Sequence, residues 1–436
     1  MKKHVTVIGA GLAGCEAAWQ LANRDISVTL VEMKPQKKSP AHEKDSFAEL
    51  VCSNSLRSDR LENAVGLLKA EMRLLDSLII SAADETRVEA GGALAVCRDS
   101  FSNLVTQQMT NHPNITIRHD ELTTVPDGNV IVATGPLTSD DFAAEIARLL
   151  GQDFLHFFDA AAPIVSLDSI DMSKAFFASR WGKGTPDYVN CGMDQEEYAR
   201  FYDALMQAET AKIHGFETEK IFEGCMPVEV MAKRGVDTLR FGPLKPVGLD
   251  HPETGKRYHA VVQLRKDNAS GTMYNLVGFQ THLTFGAQKE VFSLIPGLEQ
   301  VEFLRFGVMH RNTYIDSPRL LDRCYRLTSD PHIIFAGQIT GVEGYVESAA
   351  SGLLAGLQLA RQLHDAPPID FPRKTAIGAL AYYISDQSIG DFQPMNVNFG
   401  IIDPLEMRVK GKAEKNLAIA ERALDTVRDL LEEGKQ

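Results

Sequence analysis

The segment HVTVIGAGLAG, His4 to Gly14, constrains this chain more than any other. VTVI is a short, apolar, β-branched run, and CEAAWQLANR after it has the pattern of a helix. Gly9-Ala10-Gly11-Leu12-Ala13-Gly14 therefore falls on a strand-to-helix turn. Gly9 allows the tight turn, Gly11 lets the backbone approach a pyrophosphate, and Gly14 lets the helix lie close on the strand. A second strand, ISVTLVE, ends at Glu32, eighteen residues after Gly14. A carboxylate there suits both hydroxyls of an adenosine ribose and repels a 2′-phosphate. The bland reading is a glycine-rich turn without a ligand. The order strand, glycines, helix, strand, carboxylate favours dinucleotide binding, with Ala10 inside the turn as a further contact.

Two distant segments repeat the theme. NVIVATG, Asn129 to Gly135, is an apolar strand stopping at Thr134-Gly135. HIIFAGQITGVEGYVESAASGLLAGLQLARQL, His332 to Leu363, is a strand, a glycine-rich turn and a helix of small residues. Its helix N-terminus, near Gly344 and Tyr345, favours negative charge. Gly337 is followed by Gln338 where many flavoproteins have Asp, so the usual carboxylate contact must differ. Three converging segments fit FAD bound in extended form. They fit NAD poorly, because NAD needs no C-terminal return. There is no second GxGxxG, so NADH or NADPH has no dinucleotide fold of its own.

The implied fold class is α/β. It is an FAD-binding Rossmann domain of the two-dinucleotide, glutathione-reductase-like type, with an inserted α+β domain. Residues 1–160 and 325–436 are assigned to the discontinuous FAD-binding domain, ending in a C-terminal helix. Residues 161–324 are assigned to the insertion, where short strand-like runs (APIVSL, TLRFGP, HAVVQLR, MYNLVGF, VEFLRFGVM) suggest a mixed sheet around one helix, DQEEYARFYDALMQAETAK. NAVGLLKAEMRLLDSLIISAAD reads as a single helix. The segment from Glu406 to Gln436 reads as an amphipathic helix with a basic start. It either docks on the core or offers Arg408, Lys410, Lys412 and Lys415 to RNA.

Composition narrows the function classes. At 436 residues, 44% hydrophobic and 24% charged, the chain suits an enzyme with a large core. No apolar run is long enough to span a membrane. Lys2 and Lys3 before an apolar stretch resemble a signal peptide, but the glycine fingerprint, Glu16 and the lack of a cleavage site argue for a cytoplasmic protein. The net charge of −13 argues against nonspecific nucleic-acid binding, so any polyanion needs a local basic patch. Six scattered cysteines, with no CxxC pair, fit reduced thiols and no metal site.

Between Glu32 and the next helix lies a long polar connection holding Cys52, in FAELVCSNSLRSDR. A connection of that length suggests a functional loop. Cys225 sits after a glycine in IFEGCMPVEVMA. Each is either a structural thiol or a nucleophile, and basic neighbours such as Arg57 and Arg60 favour the thiolate near Cys52. Cys15 and Cys97 read as packing residues; Cys191 and Cys324 carry no assignment.

Beyond these local readings, the chain closely resembles the folate- and FAD-dependent tRNA uracil-5-methyltransferases, the TrmFO (Gid) family. The landmarks are GAGLAG at 9–14, ELVCSNSLRSD at 49–59, FEGCMPVE at 222–229, FGPLKPVGL at 241–249, YNLVGFQTHLTFGAQ at 274–288 and AGQITGVEGYVESAASGLLAG at 336–356. The last is shared in looser form with the wobble-uridine modifying MnmG (GidA) family, which has a long C-terminal extension absent here. The two cysteine motifs favour the first family.

The resemblance implies that a one-carbon unit passes from 5,10-methylenetetrahydrofolate through reduced FAD to C5 of uridine 54 in the tRNA T arm, with NADH or NADPH as reductant. It implies Cys225 as the nucleophile that adds to C6 and Cys52 as an assisting residue. His282 becomes a candidate for stacking on the folate pterin, or else a locally hydrogen-bonded strand-end histidine. Tyr345 either packs near the flavin or belongs to the core. Extrusion of the uridine needs guiding positive charge. The candidates are Lys37, Lys38, Arg57, Arg60, Arg180, Lys183, Arg265, Lys266 and Arg311, each weighed against a role as an exposed solubilising charge. A flavin disulfide reductase lacks its paired cysteines here. A flavin monooxygenase or amine oxidase fits the folding pattern equally well, and a non-catalytic FAD-stabilised RNA-binding module is a further alternative.

Overall fold

The structure is a computed structural model that describes residues 3–152, 154–182, 184–211 and 226–433. Strand β1 (His4–Ile8) sits inside a six-stranded sheet, between Val130–Val132 and β2 (Ser27–Glu32). Ile115–His119 lies beyond β2. Asp330–Phe335 lies beyond Val130–Val132 and carries the short edge strand Arg326–Leu327. The pairings are parallel except at that edge. Val5, Val7, Val130, Ile131 and Ile334 are fully buried, as expected when helices cover both faces of a parallel sheet.

Helix α1 (Leu12–Ala22) packs on the long helix Tyr345–Leu363. Their contact is backbone-close. A Cβ added at Gly352 would lie 2.1 Å from the Ala13 carbonyl oxygen, and one at Gly356 would lie 2.7 Å from that of Ala17. Glycines four residues apart share one helix face, so together they let the two axes approach.

The expected single helix from Asn63 is two helices, Ala64–Leu74 and Leu78–Glu85. Asp76 takes a left-handed φ of 54°, and the Ser77 side chain caps the second helix by accepting from Ile80 N–H. Buried Glu16 on α1 accepts from Leu78 and Ile79 N–H and from the Ser77 hydroxyl. The break thus turns exposed amide donors toward a carboxylate 62 residues away in sequence for Leu78, which helical periodicity does not record.

The second six-stranded sheet runs Ala175–Ala178, Tyr188–Met193, Ala260–Lys266, Met273–Leu276, Ile164–Ser166, Phe303–Arg305. It is antiparallel at every described pairing rather than mixed. TLRFGP is a short helix, Thr238–Phe241, and not a strand. VEFLRFGVM divides between Phe303–Arg305 and Met309–Tyr314. The helix Gln195–Gln207 starts at an Asp194/Glu197 capping box and buries Tyr198, Phe201 and Leu205 against this sheet's own core. Strand Leu155–Ala160 pairs antiparallel with Met309–Tyr314 and carries the chain between the two sheets.

The C-terminal helix Lys412–Glu433 docks on the first core through Ile419, Ala420, Ala423 and Val427, while Arg408, Lys410, Lys412 and Lys415 are exposed.

Gly352→Val should force the two central helices apart and lower stability by about 1–3 kcal/mol. Urea unfolding monitored by circular dichroism checks this; a midpoint equal to that of the parent would contradict the close-contact account.

Candidate active site

Where β1 ends, Gly9 takes a φ of +96° and its N–H donates to the Val31 carbonyl at 2.7 Å. A Cβ at Gly9 would lie 2.6 Å from the Ala133 carbonyl oxygen, and one at Gly14 would lie 1.8 Å from that of Gly9. Both positions exclude side chains. Gly11 differs: a Cβ there would meet nothing within 4 Å. That empty direction faces a groove of about 1130 Å³, lined by Gly9, Ala10, Gly11, Glu32, Thr134, Gly135, Gly337, Gln338 and Tyr345, among others. All the cofactor-side residues expected from sequence line it, except Gly14, which packs beneath the turn, and Gly344, which caps the long helix.

Glu32 is 6% exposed and accepts from Ala10 N–H at 2.7 Å and Lys34 N–H at 3.0 Å. These bonds aim its carboxylate at the end of the sheet, where an adenosine ribose would lie. Gln338 donates to Glu343 Oε2 at 2.6 Å, so a carboxylate does stand near this turn, five residues later than the pattern expects. The groove runs from Glu32 to Tyr345, and its narrow glycine floor leaves room for a pyrophosphate beside the α1 N-terminus. These features fit an extended dinucleotide.

Beside the Tyr345 end lies Cys52, next to groove-lining Val51. The Tyr345 hydroxyl accepts from Cys52 N–H at 2.8 Å and donates to Cys52 Sγ at 3.1 Å. Burial, with Cys52 adding, pushes the Tyr345 phenol well above its ordinary range, so near neutral pH it keeps the proton it donates. The loop around Cys52 is also held by the second domain. Arg265 donates to Ser53 Oγ at 2.8 Å and Asn54 Oδ1 at 3.2 Å. Asn54 donates to the Lys266 carbonyl at 2.9 Å. Arg98 bonds the Leu50 carbonyl and makes a bidentate pair with Asp267, at 2.9 and 3.2 Å.

Arg265, expected as a phosphate contact, is only 8% exposed; the structure uses it to hold the cysteine loop. Arg57, with a left-handed φ of 61°, pairs with fully buried Glu347. Glu347 also accepts from Val397 N–H at 2.9 Å. Lys37 pairs with Glu121, Lys38 with Asp45 and Lys266 with Glu89. Arg60 is exposed. His282 has its Nδ1 2.5 Å from Glu229 Oε1, and its own N–H donates to the same oxygen at 2.9 Å. The 2.9 Å bond comes from the backbone, so Glu229 stands at the ring edge as an ion-pair neighbour, on a segment that also pairs Gln280 with Val228. Cys225, Lys183 and the side chain of Arg311 lie outside the described residues. Burial pushes the Cys191 thiol up to about 12 and the Cys324 thiol up to about 11. No group of residues able to hold a metal ion occurs among the described residues.

The family model described as "Glucose inhibited division protein A" matches residues 4–367. Over 430 residues the chain is 59% identical to methylenetetrahydrofolate–tRNA-(uracil-5-)-methyltransferase TrmFO of Bacillus licheniformis, covering 99% of each chain. It is 60% identical over 437 residues to the protein of the same name from Desulforamulus reducens, covering 100% of this chain and 99% of that one. The chain belongs to the TrmFO family. Among solved structures, Aquifex aeolicus GidA superposes with a TM-score of 0.72 at 16% identity, over 98% of this chain and 73% of that chain. At that identity the likeness speaks for the fold.

Three elements of this TrmFO-family site escaped sequence reasoning. Lys34 is 3% exposed and reaches the Ser46 carbonyl at 2.6 Å, folding the long connection back over the groove. Asn54 and the Arg98–Asp267 pair tie that connection to the insertion. Only the first had a local signal, a lysine placed two residues after the ribose-side glutamate.

Gly11 and Gly14 should fail differently when replaced by Val. Gly11→Val has space and an ordinary φ of −76°, so it should fold with a near-parental melting temperature yet retain no FAD. Gly14→Val should lose both FAD and stability. Flavin absorbance and thermal melting of the two proteins check this, and a flavin-loaded Gly11→Val protein would overturn the assignment of the groove floor.

Proposed function

We propose that this protein methylates C5 of the T-loop uridine at position 54 of tRNA, using 5,10-methylenetetrahydrofolate as one-carbon donor, bound FAD, and NADH or NADPH as reductant. The reading is supported most by the full-length identity of 59–60% to named TrmFO methyltransferases. The continuous groove from Glu32 to Tyr345, with Cys52 beside its end, supports it independently. No helix among the described residues is long and apolar enough to cross a membrane; a cytoplasmic site of action follows from the tRNA substrate.

When bound, FAD supplies a carrier for the one-carbon unit and the electrons that turn it into a methyl group. The chain supplies the rest. Glu32 holds the ribose, and the amides at the α1 N-terminus hold the pyrophosphate. Gly337, Gln338 and Tyr345 line the opposite end. Cys225 is the proposed nucleophile. Its thiolate adds to C6 of uracil and makes C5 a carbon nucleophile. After the new bond forms at C5, loss of the C5 proton and expulsion of the thiolate restore the ring. Cys52 assists, either by taking that proton or by shielding the transferring carbon. The Tyr345 hydroxyl, which keeps its proton, holds the Cys52 sulfur in place through the hydrogen bond at 3.1 Å.

Incubation with unmodified tRNA, methylenetetrahydrofolate and NADPH should give 5-methyluridine, read by nucleoside mass spectrometry. Absence of the product with flavin-loaded protein, under NADH as well, rejects the reading. Cys225→Ala should keep its FAD and form no product; residual methylation of a T-arm minihelix would rule the residue out as nucleophile.

Arg265→Met should lower turnover because the Ser53–Asn54 turn loses its donor. The slope of log Kd for tRNA against log salt should not change, because a residue on phosphate would shift it by about 1. Binding titrations at several salt concentrations separate the two roles.

A further inference from the structure

A second depression, of about 1490 Å³, opens on the insertion domain. Three large apolar residues are exposed in it: Trp181 at 63%, Val247 at 47% and Phe177 at 42%. Single exposed apolar side chains are ordinary, but three around one hollow make a patch of the kind that marks a binding surface. Trp181 also has a left-handed φ of 63°. A bulky residue rarely takes that conformation unless its surroundings impose it. Here its N–H donates to the Gly248 carbonyl at 2.8 Å. The indole lies against Gly248 so closely that a Cβ there would come within 2.7 Å of Cδ2. One side of the ring is backed by glycine, and the rest is open.

In the lining, Arg257 and Asp250 offset each other, and the further cations Arg180 and Lys256 stand beside it. Arg180 donates to the Val247 carbonyl and, at 3.0 Å, to Gln263 Oε1. Arg257 is highly exposed, 3.4 Å from Asp250, and Lys256 lies 5.0 Å from the Tyr258 ring centre. The hollow is also tied to the cysteine loop. Gln263 and Arg265 are alternate residues of one strand, so they share a face and stand about 7 Å apart. Gln263 holds Arg180 beside Trp181, while Arg265 holds Ser53 and Asn54 beside Cys52. The same strand face thus carries both features.

We propose that Trp181 is a stacking platform for an unpaired nucleobase of the tRNA substrate, close to the uridine that is modified. The inference rests on the methyltransferase reading above and adds a substrate-binding residue to it. An aromatic face flanked by cations, sequence-tolerant and open to solvent, is the recurrent means of holding unstacked bases. A flipped uridine leaves neighbouring loop bases in need of a partner.

The test uses the full-length, flavin-loaded protein and a T-arm minihelix RNA without 5-methyluridine. Trp181→Ala should weaken binding roughly tenfold, within the range for loss of one base–aromatic stack, and raise KM for the RNA more than it lowers kcat. Trp181→Phe should recover most of the loss. The chain has two tryptophans, so in a Trp19→Phe background the remaining fluorescence reports on Trp181 and should be quenched by the minihelix. Flavin loading and melting temperature show that each variant is folded. Parental affinity in a folded Trp181→Ala protein, or no quenching, overturns the stacking site and leaves the methyltransferase reading standing. A self-association lost with Trp181 while RNA binding persists would assign the hollow to a second copy and also overturn it. Failure of the parent to methylate the minihelix and whole tRNA alike would instead overturn the reading beneath it.

Discussion

The Gly14 position meets the Gly9 carbonyl so closely that an added Cβ would stand 1.8 Å from its oxygen. Everything at the dinucleotide end depends on this contact. It seats α1 directly on the end of β1, so the helix's unpaired amides open onto the groove. The long helix Tyr345–Leu363 applies the same device from the other side, at Gly352 and Gly356. Two helices without bulky side chains at their contact bring the Glu32 end and the Tyr345 end of the groove into one rigid frame. A polar ligand of that length needs both ends fixed, because each added ångström of play weakens the contacts at the reacting end.

The other end is built on hydrogen bonds rather than close packing. The Cys52 loop has no regular structure of its own around the thiol. Tyr345 and Arg98 hold it from the side of the first sheet, while Arg265 and the Lys266 carbonyl hold it from the second sheet, where Asp267 also anchors Arg98. Buried charged donors are costly unless they find partners, and both arginines find some. Arg98 places Nε and Nη2 on Asp267 and Nη1 on the Leu50 carbonyl, and Arg265 meets two side-chain oxygens. The loop is therefore a hydrogen-bonded link between the two sheets, beside the covalent one through Leu155–Ala160.

Sequence pattern disclosed the half of the site that depends on local chemistry. GAGLAG, Glu32, Thr134-Gly135 and the Gly337–Tyr345 turn each carry their signal within a few residues, because backbone shape and strand ends are local properties. What stayed hidden is set by contacts across long chain separations. Arg265 looks like any surface cation until Ser53, 212 residues away, is seen beside it. His282 looks like an isolated strand-end residue until Glu229 is seen at the Nδ1 edge of its ring. The helix broken at Asp76 follows its periodicity well, and the partners that hold the break, Glu16 and Gln20 on α1, lie far away in sequence. The insertion's sheet was visible as strands, but their direction is not written in apolar alternation.

These placements also bear on how an acidic chain, with a net charge of −13, handles a polyanion. Several of its candidate cations are already paired: Lys37 with Glu121, Lys38 with Asp45, Arg57 with Glu347, Lys266 with Glu89. Pairing leaves little net positive field for long-range attraction, and long-range attraction to the rest of the surface is unfavourable. Under those conditions selectivity has to come from short-range contacts, which screening by salt affects less than it affects distant charges. A stacked base and a few well-placed guanidinium groups would meet that requirement.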